Sequence, residues 1–320
     1  MHKLTRNSYG KRRVRLTKVS RRKKVHEVHE YTVDVTLHGE FQAIYTEGDN
    51  SSCVATDTMK NTVYAVARRT DFGAPEEFGL ALTEHFLSRY PQVGTVTVDI
   101  SMERWKRISV DGSPHPFAFV KSHGKRTAGV KRWRTSGDEP SNAAAAESAV
   151  VAGLSDASAP VSSEALRVTG GIAGMEVFKS SDSAFSGFQR DQYTTLAETE
   201  DRILATTVDA TWIYAPDHTR TGEAYNAVWH SAEEAILRIF ATHQSPSLQA
   251  TLYEMGNRLL NDAPEVVSVD FSMPNQHHIL FDLSPFEMDN ENEIFYGTDS
   301  PFGIITGEVS REPPHGGEPS

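Results

Sequence analysis

Thr97-Val-Asp-Ile-Ser-Met102 and Ser268-Val-Asp-Phe-Ser-Met273 are two near-copies of one hexapeptide, and each follows a proline, Pro91 or Pro264, that closes a helical stretch. In both, apolar side chains alternate with polar ones, the period of a half-buried strand. A strand motif that recurs in the same local setting signals an internal repeat. Outward from the first copy, Val14 and Leu16, then Tyr31, Val33, Val35 and Leu37, alternate with polar neighbours and predict an antiparallel pair of strands. A helix opening at Thr56-Asp57 has Met59, Val63, Val66 and Ala67 on one face. A second helix fits 75–90, with Pro75 in its first turn, Glu76 and Glu77 at the positive end of the dipole, and Phe78, Leu82 and Phe86 at helical spacing. Strands at 95–102 and 105–110 then lead to the turn Asp111-Gly-Ser-Pro.

The second copy sits in the same plan. A strand over 202–214 precedes a helix over 227–242 whose stripe is Val228, Ala232, Ala235, Ile236, Ile239 and Phe240. Ser245 is expected to cap the next helix, with Pro246 its first residue and Leu248, Leu252, Met255 and Leu259 on one face. Strands at 266–273 and 277–283 close the half. Between the halves, 136–171 turns to Ala, Ser, Gly, Pro and Asp without periodicity and reads as a flexible insertion or linker. The expected architecture is therefore α+β: a first domain over 1–135, a second over 172–311, and a disordered tail at 312–320. Each domain is a four-stranded antiparallel sheet with two helices on one face. Such units leave sheet edges free, and joining edges across copies and subunits into a closed barrel covers them, so an oligomer is expected.

Composition narrows the partners. With 38% hydrophobic and 23% charged residues, the 320-residue chain can bury a core. A net charge of -11 argues against nucleic acid as a partner, although residues 1–29 carry eleven Lys or Arg against one Glu. No aromatic-rich single-strand motif accompanies that basic edge, which suits a solvated strand or a field for a small anion. The single cysteine, Cys53, suits a reducing compartment. No apolar run follows the basic N-terminus, the most apolar window (143–154) is too short to span a bilayer, and the chain closes on Gly-Glu-Pro-Ser rather than a peroxisomal address. A cytoplasmic protein without membrane contact is expected.

The chemistry centres on 184–204. Phe185 lies upstream of a polar stretch in which Thr195-x-x-Glu198 predicts a capped short helix, and Arg202 stands where that stretch turns into strand. A guanidinium there can present a rigid fork to a planar anion while an aromatic covers its face, or the pair can be a surface arginine and a core phenylalanine. Helix starts at Thr56-Asp57 and Leu248-Gln249 offer free N–H groups that favour an anion, and the Gln249 carboxamide matches the donor–acceptor edge of a heterocycle. Asn275 and His277 stand in Met-Pro-Asn-Gln-His-His between two strands. Lys11, Thr56 and His277, if brought together, can relay protons, given a partly desolvated lysine. Each has an ordinary reading too: Thr56 a cap, Lys11 surface charge, His277 a strand residue. His26-Glu-Val-His-Glu30 has the wrong spacing for a zinc-protease helix, and neither a phosphate-binding glycine loop nor a serine nucleophile elbow occurs.

Taken together, Tyr9-Gly-Lys11, Val54-Ala-Thr-Asp-Thr-Met-Lys-Asn-Thr62, His115-Pro-Phe, Phe185-Ser-Gly-Phe-Gln-Arg-Asp-Gln-Tyr-Thr-Thr-Leu, Asp201-Arg-Ile-Leu, Gln249-Ala-Thr-Leu-Tyr, Met273-Pro-Asn-Gln-His277 and Pro301-Phe-Gly-Ile resemble the urate oxidase (uricase) family over nearly the whole chain. The resemblance implies tandem tunnelling-fold (T-fold) domains that form barrels in a homotetramer, with the active sites between subunits. It implies a cofactor-free reaction of urate, dioxygen and water to 5-hydroxyisourate and hydrogen peroxide. Phe185 is expected to stack on the purine, Arg202 to fork onto one edge, and Gln249 to pair with the pyrimidine edge. Leu248 is expected to offer its backbone N–H, Asn275 to hold dioxygen or water, and Thr56 and Asp57 to arrive from the neighbouring chain. Lys11, Thr56 and His277 are expected to form the proton relay. Gln276 departs from a lysine common there, and 136–171 is longer than the family usually carries. A zinc-dependent or cysteine-dependent cyclohydrolase-type enzyme and a non-catalytic purine-binding protein are the alternatives; Cys53 alone in a polar loop fits the first poorly.

Overall fold

The computed structural model describes residues 2–21, 24–135 and 164–312. β1 (Tyr9–Ser20) and β2 (Glu27–Gly39) precede a one-turn helix, α1 (Gln42–Thr46), and two longer ones, α2 (Thr56–Arg69) and α3 (Pro75–Arg89). β3 (Val93–Val110) and β4 (Ser113–Arg134) complete the first half. The second runs β5 (Glu164–Lys179), β6 (Leu204–Tyr214), α4 (Gly222–Thr242), α5 (Leu248–Asp262), β7 (Val266–Leu280), a 3-10 turn at Ser284–Phe286 and β8 (Phe295–Ser310). The eight strands form one sheet in chain order, each antiparallel to its neighbours. The class is α+β with an antiparallel sheet, as expected. The two expected four-stranded sheets are, however, continuous: β4 pairs with β5 from Lys125↔Ala173 to Arg134↔Glu164, which satisfies two edges that would otherwise expose their N–H and C=O groups.

Alternation decides which face is covered. Tyr31, Val33, Val35 and Leu37 of β2, Val96, Val98 and Ile100 of β3, and Val269, Phe271 and Met273 of β7 are all buried, and the helices pack over them. α2 lies over β1, α3 over β3 and β4, α4 over β5, and α5 over β7 and β8. Each half has its own apolar cluster, one around Tyr31, Phe41, Phe78 and Phe86, the other around Trp212, Trp229, Phe271 and Met255.

Where the halves meet, polar groups are buried. Arg126 of β4 reaches the Glu76 carboxylate of α3 at 2.7 Å and the Asn226 side-chain oxygen of α4 at 2.5 Å. The Tyr214 hydroxyl of β6 donates to the other Glu76 oxygen at 2.9 Å. Burial pushes the Glu76 carboxyl up while the Arg126 guanidinium pulls against it. The network spans both halves, so it selects one way of docking them.

Several expectations are corrected. The strands read at 95–102 and 105–110 are one strand with a register shift between Glu103 and Trp105, where Arg104 ion-pairs with Glu233 of α4 at 2.7 Å. The fourth strand of the first half is instead β4, whose run of Lys and Arg hides its alternation; the Asp111-Gly112 turn joining it to β3 has positive φ at both residues, a hairpin geometry. Likewise 266–273 and 277–280 belong to one strand carried through Pro274, which stops at Leu280 rather than at 283, and the sequence pattern does not announce β8, broken up by Gly297, Pro301, Gly303 and Gly307. The segment read as a linker over 136–171 ends earlier, because 164–171 belong to β5. Gly170 and Gly171 are there for close approach: a Cβ on Gly170 would lie 2.6 Å from Trp212 Nε1, and one on Gly171 2.6 Å from the Ala210 carbonyl. The rest of that segment (136–163), with the apolar window at 143–154, and the tail at 313–320 lie outside the described residues.

Arg126→Met strands the buried Glu76 carboxylate. It is expected to lower stability by about 3–5 kcal/mol in urea unfolding, with a large part recovered when Glu76→Gln is added.

Candidate active site

The residues expected to form the site fall into two groups, each carried by its own half. In the second half, Phe185 and Thr199 exchange backbone hydrogen bonds of 2.8 and 3.1 Å. This bridge brings the Phe185 ring beside Arg202, whose guanidinium carbon lies 5.0 Å from the ring centroid. No helix forms at Thr195-x-x-Glu198, contrary to expectation: Asp191 and Thr194 close a turn on each other, and Arg190 takes the Leu196 carbonyl. Arg202 stands two residues before β6, half-buried. Its Nε meets no acceptor among the described residues, and loss of water pushes its pKa down. A desolvated guanidinium without a carboxylate partner favours an incoming planar anion.

The same segment is tied to the start of α5. The Ala184 N–H donates to the Ser245 carbonyl at 2.7 Å, and the Ser245 N–H to the Asp182 carbonyl at 2.9 Å. Ser245 was expected to cap this helix. The cap is Ser247, whose hydroxyl accepts from the Ala250 N–H at 3.1 Å; Ser245 is instead fully buried, receiving the Thr251 hydroxyl at 2.7 Å. Leu248 and Gln249 are therefore the first two helical residues, where N–H groups have no partner in the helix. Leu248 is buried and Gln249 exposed. On β7, Asn275 pairs with Thr206 of β6 and His277 with Thr298 of β8, and by alternation the two share a face with buried Met273. The Thr206 hydroxyl holds the Pro274 carbonyl at 2.8 Å, next to Asn275. Phe185, Arg202, Leu248, Gln249, Asn275 and His277 thus belong to the second half, around the beginning of β6.

Lys11, Thr56 and Asp57 form the other group. Lys11 lies on β1 just before a register shift, and α2 packs over that strand. Thr56 is the first residue of α2 and is exposed; Ala55, not Thr56, is in the cap position, and no side-chain cap bond forms. The Asp57 carboxylate takes Lys60 at 2.5 Å and Asn61 at 2.8 Å; Lys60, with a smaller contribution from Lys11, holds its pKa below the usual carboxylate value. The two groups lie far apart in the order of the sheet. β1 and β7 are six strand positions apart, roughly 29 Å along the sheet at the usual strand spacing.

Two side chains escaped the sequence reading. Phe188 stacks on Phe185 with centroids 5.0 Å apart and planes 14° apart, and the Arg190 guanidinium lies 5.1 Å from the Phe188 ring centroid. The spacing Phe185-x-x-Phe188-x-Arg190 was there to be read, but stacking needs the loop path to be known. Among the described residues, no three His, Cys, Asp or Glu side chains gather as a metal site would require, and no helix is long and apolar enough to cross a membrane.

The family model for uricase matches residues 7–130 and 168–306. This chain belongs to the uricase family. It is 40% identical to the uricase of Arthrobacter globiformis over 97% of this chain and 90% of that one, and 36% identical to the uricase of Aspergillus flavus over 95% of each. The crystal structure of the Arthrobacter globiformis uricase superposes with a TM-score of 0.82, at 38% identity, covering 100% of this chain and 97% of that one. Membership makes the chain an oxidoreductase, a urate oxidase.

Ser247→Ala removes the α5 cap and is expected to cost about 1 kcal/mol in chemical denaturation, a loss that Ser247→Asp largely avoids because its carboxylate can accept the same N–H.

Proposed function

We propose that the chain converts urate, dioxygen and water to 5-hydroxyisourate and hydrogen peroxide without a metal or flavin, in the cytoplasm, at sites composed by two chains. The observation that carries this reading is Arg202: half-buried, lacking an acceptor at Nε and set beside the Phe185 ring. In this reading the guanidinium forks onto the oxygen-bearing edge of the urate anion, while Phe185, backed by Phe188, covers the purine face. Gln249 pairs through its carboxamide with the pyrimidine edge, and Leu248 contributes its helix-start N–H.

In this reading the electrons that reach dioxygen come from the substrate itself. Urate gives up two electrons, dioxygen takes them with two protons and leaves as hydrogen peroxide, and water adds a hydroxyl to the ring. Stabilising the electron-rich anion and holding oxygen above it are what the protein must supply, and Asn275 on β7 is suited to hold dioxygen or water there. Protons pass among Lys11, Thr56 and His277. The uncapped, exposed hydroxyl of Thr56 supports a role outside the helix.

Lys11, Thr56 and Asp57 lie across the sheet from Arg202, so a complete site needs these residues from a neighbouring copy. The open edges of β1 and β8 and exposed apolar side chains such as Phe281, Phe302 and Ile304 support association. We take the assembly to be a homotetramer of tandem T-fold domains, about 1–135 and, with the whole of β5 included, 164–311, closing barrels across copies.

Urate absorbance in aerated buffer is expected to decay with peroxide release, undiminished by a chelator. Decay abolished by chelation would make this a metal enzyme, and binding without decay a purine-binding protein. Arg202→Ala is expected to weaken urate binding about 100-fold, because a buried anion loses its charged partner. Thr56→Ala is expected to lower kcat more than it raises KM; a change confined to KM would remove Thr56 from the relay. Refolding Lys11→Ala together with Arg202→Ala is expected to restore about a quarter of the sites, since in a two-fold pair one composite site of each mixed dimer carries neither change. Activity no greater than the sum of the two variants would mean that each site is built within one chain.

A further inference from the structure

We infer that Asp201 is a positioning residue for urate: its carboxylate latches the turn at 181–182 to the approach of β6, so that Phe185 and Arg202 are presented as one unit. The inference rests on the reading of those two residues given above. Both carboxylate oxygens of Asp201 accept from the Ser181 hydroxyl at 2.9 Å, and one also accepts from the Asp182 N–H at 2.8 Å. The Thr199 hydroxyl donates to the Asp201 carbonyl at 2.8 Å, which stiffens the same approach. At the other end of the two crossings stands the backbone exchange between Phe185 and Thr199. Segments 181–185 and 199–202 are therefore joined twice, by a side chain at one end and by main chain at the other. Neither is part of a long helix or a continuous ladder, so these bonds hold their spacing.

Charge makes the arrangement specific. A carboxylate one residue from an arginine is a natural competitor for its guanidinium, and Asp201 and Arg202 line the same cavity of about 570 Å³. Yet among the described residues Arg202 forms no ion pair, because the Asp201 oxygens are turned to Ser181 and Asp182. The latch thus does two things at once. It fixes the loop that carries Phe185, and it keeps a competing anion off the fork.

The test compares Asp201→Ala, Asp201→Asn, Ser181→Ala and Arg202→Ala in the full chain, by steady-state urate oxidation and thermal melting. Asp201→Ala is expected to raise KM for urate about tenfold, the equivalent of one to two lost hydrogen bonds, with a smaller fall in kcat and a melting temperature within a few degrees. Asp201→Asn, whose amide oxygen can accept both bonds, is expected to stay within about threefold of the parent KM. An unchanged KM in Asp201→Ala, or an Asp201→Asn as impaired as the alanine variant, overturns the latch. Should Asp201→Ala fail to fold, Ser181→Ala, which removes only an exposed hydroxyl, carries the same comparison: a raised KM supports the latch and an unchanged one ends it. Arg202→Ala separates the two levels. If it too leaves KM unaltered, the urate reading fails; if it raises KM while the Asp201 and Ser181 variants are silent, only the latch fails.

Discussion

β4 and β5 hydrogen-bond from Lys125↔Ala173 to Arg134↔Glu164, and among the described residues that ladder turns two half-length repeats into a single sheet with β1 and β8 at its edges. Each half has enough apolar surface for a cluster of its own, so the ladder is not what gives either half a core. What it fixes is their relation. The buried pair of Glu76 and Arg126, extended to Tyr214 and Asn226, adds direction to that join, since any other docking would leave a charge or an amide without a partner. A charged network at such a junction costs solvation and is weak support for overall stability. Its members come from both halves, so the network is complete only when α3, β4, β6 and α4 are brought together.

From that fixed relation follows a division of labour. The second half collects an aromatic face, a desolvated guanidinium and a helix start, which together suit a flat anion; the first half presents a lysine, a threonine at the start of an uncapped helix and an aspartate whose pKa Lys60 lowers. Because the sheet is wide and the two sets stand six strands apart, self-association would unite what a single chain keeps separate. In the proposed site, His277 would stay with the binding residues of one copy while Lys11, Thr56 and Asp57 would come from another.

Much of this was legible in the letters. The hexapeptides at 97–102 and 268–273 announced the repeat, helical spacing of Phe78, Leu82 and Phe86 found α3, and the alternation from Tyr31 to Leu37 found β2. Where patterns failed, a physical cause is visible. β4 was missed because its solvent side is cationic and β8 because glycines interrupt it. Gly170 and Gly171 read as linker because flexibility and close packing use the same residue, and only the nearness of Trp212 and Ala210 distinguishes them. Thr195 and Glu198 fit a capping box, but the chain there is held by the Phe185–Thr199 bridge, which takes precedence over a weak local preference.

The sequence by itself determined the periodicities, the repeat and the residue types needed for an anion site, because these depend on neighbours within a few positions along the chain. Tertiary structure alone decided that the halves share one sheet, that Ser247 rather than Ser245 caps α5, and that Asp201 turns away from Arg202. Those outcomes depend on which distant segments compete for the same hydrogen bonds, and such competition is resolved only when the chain is folded.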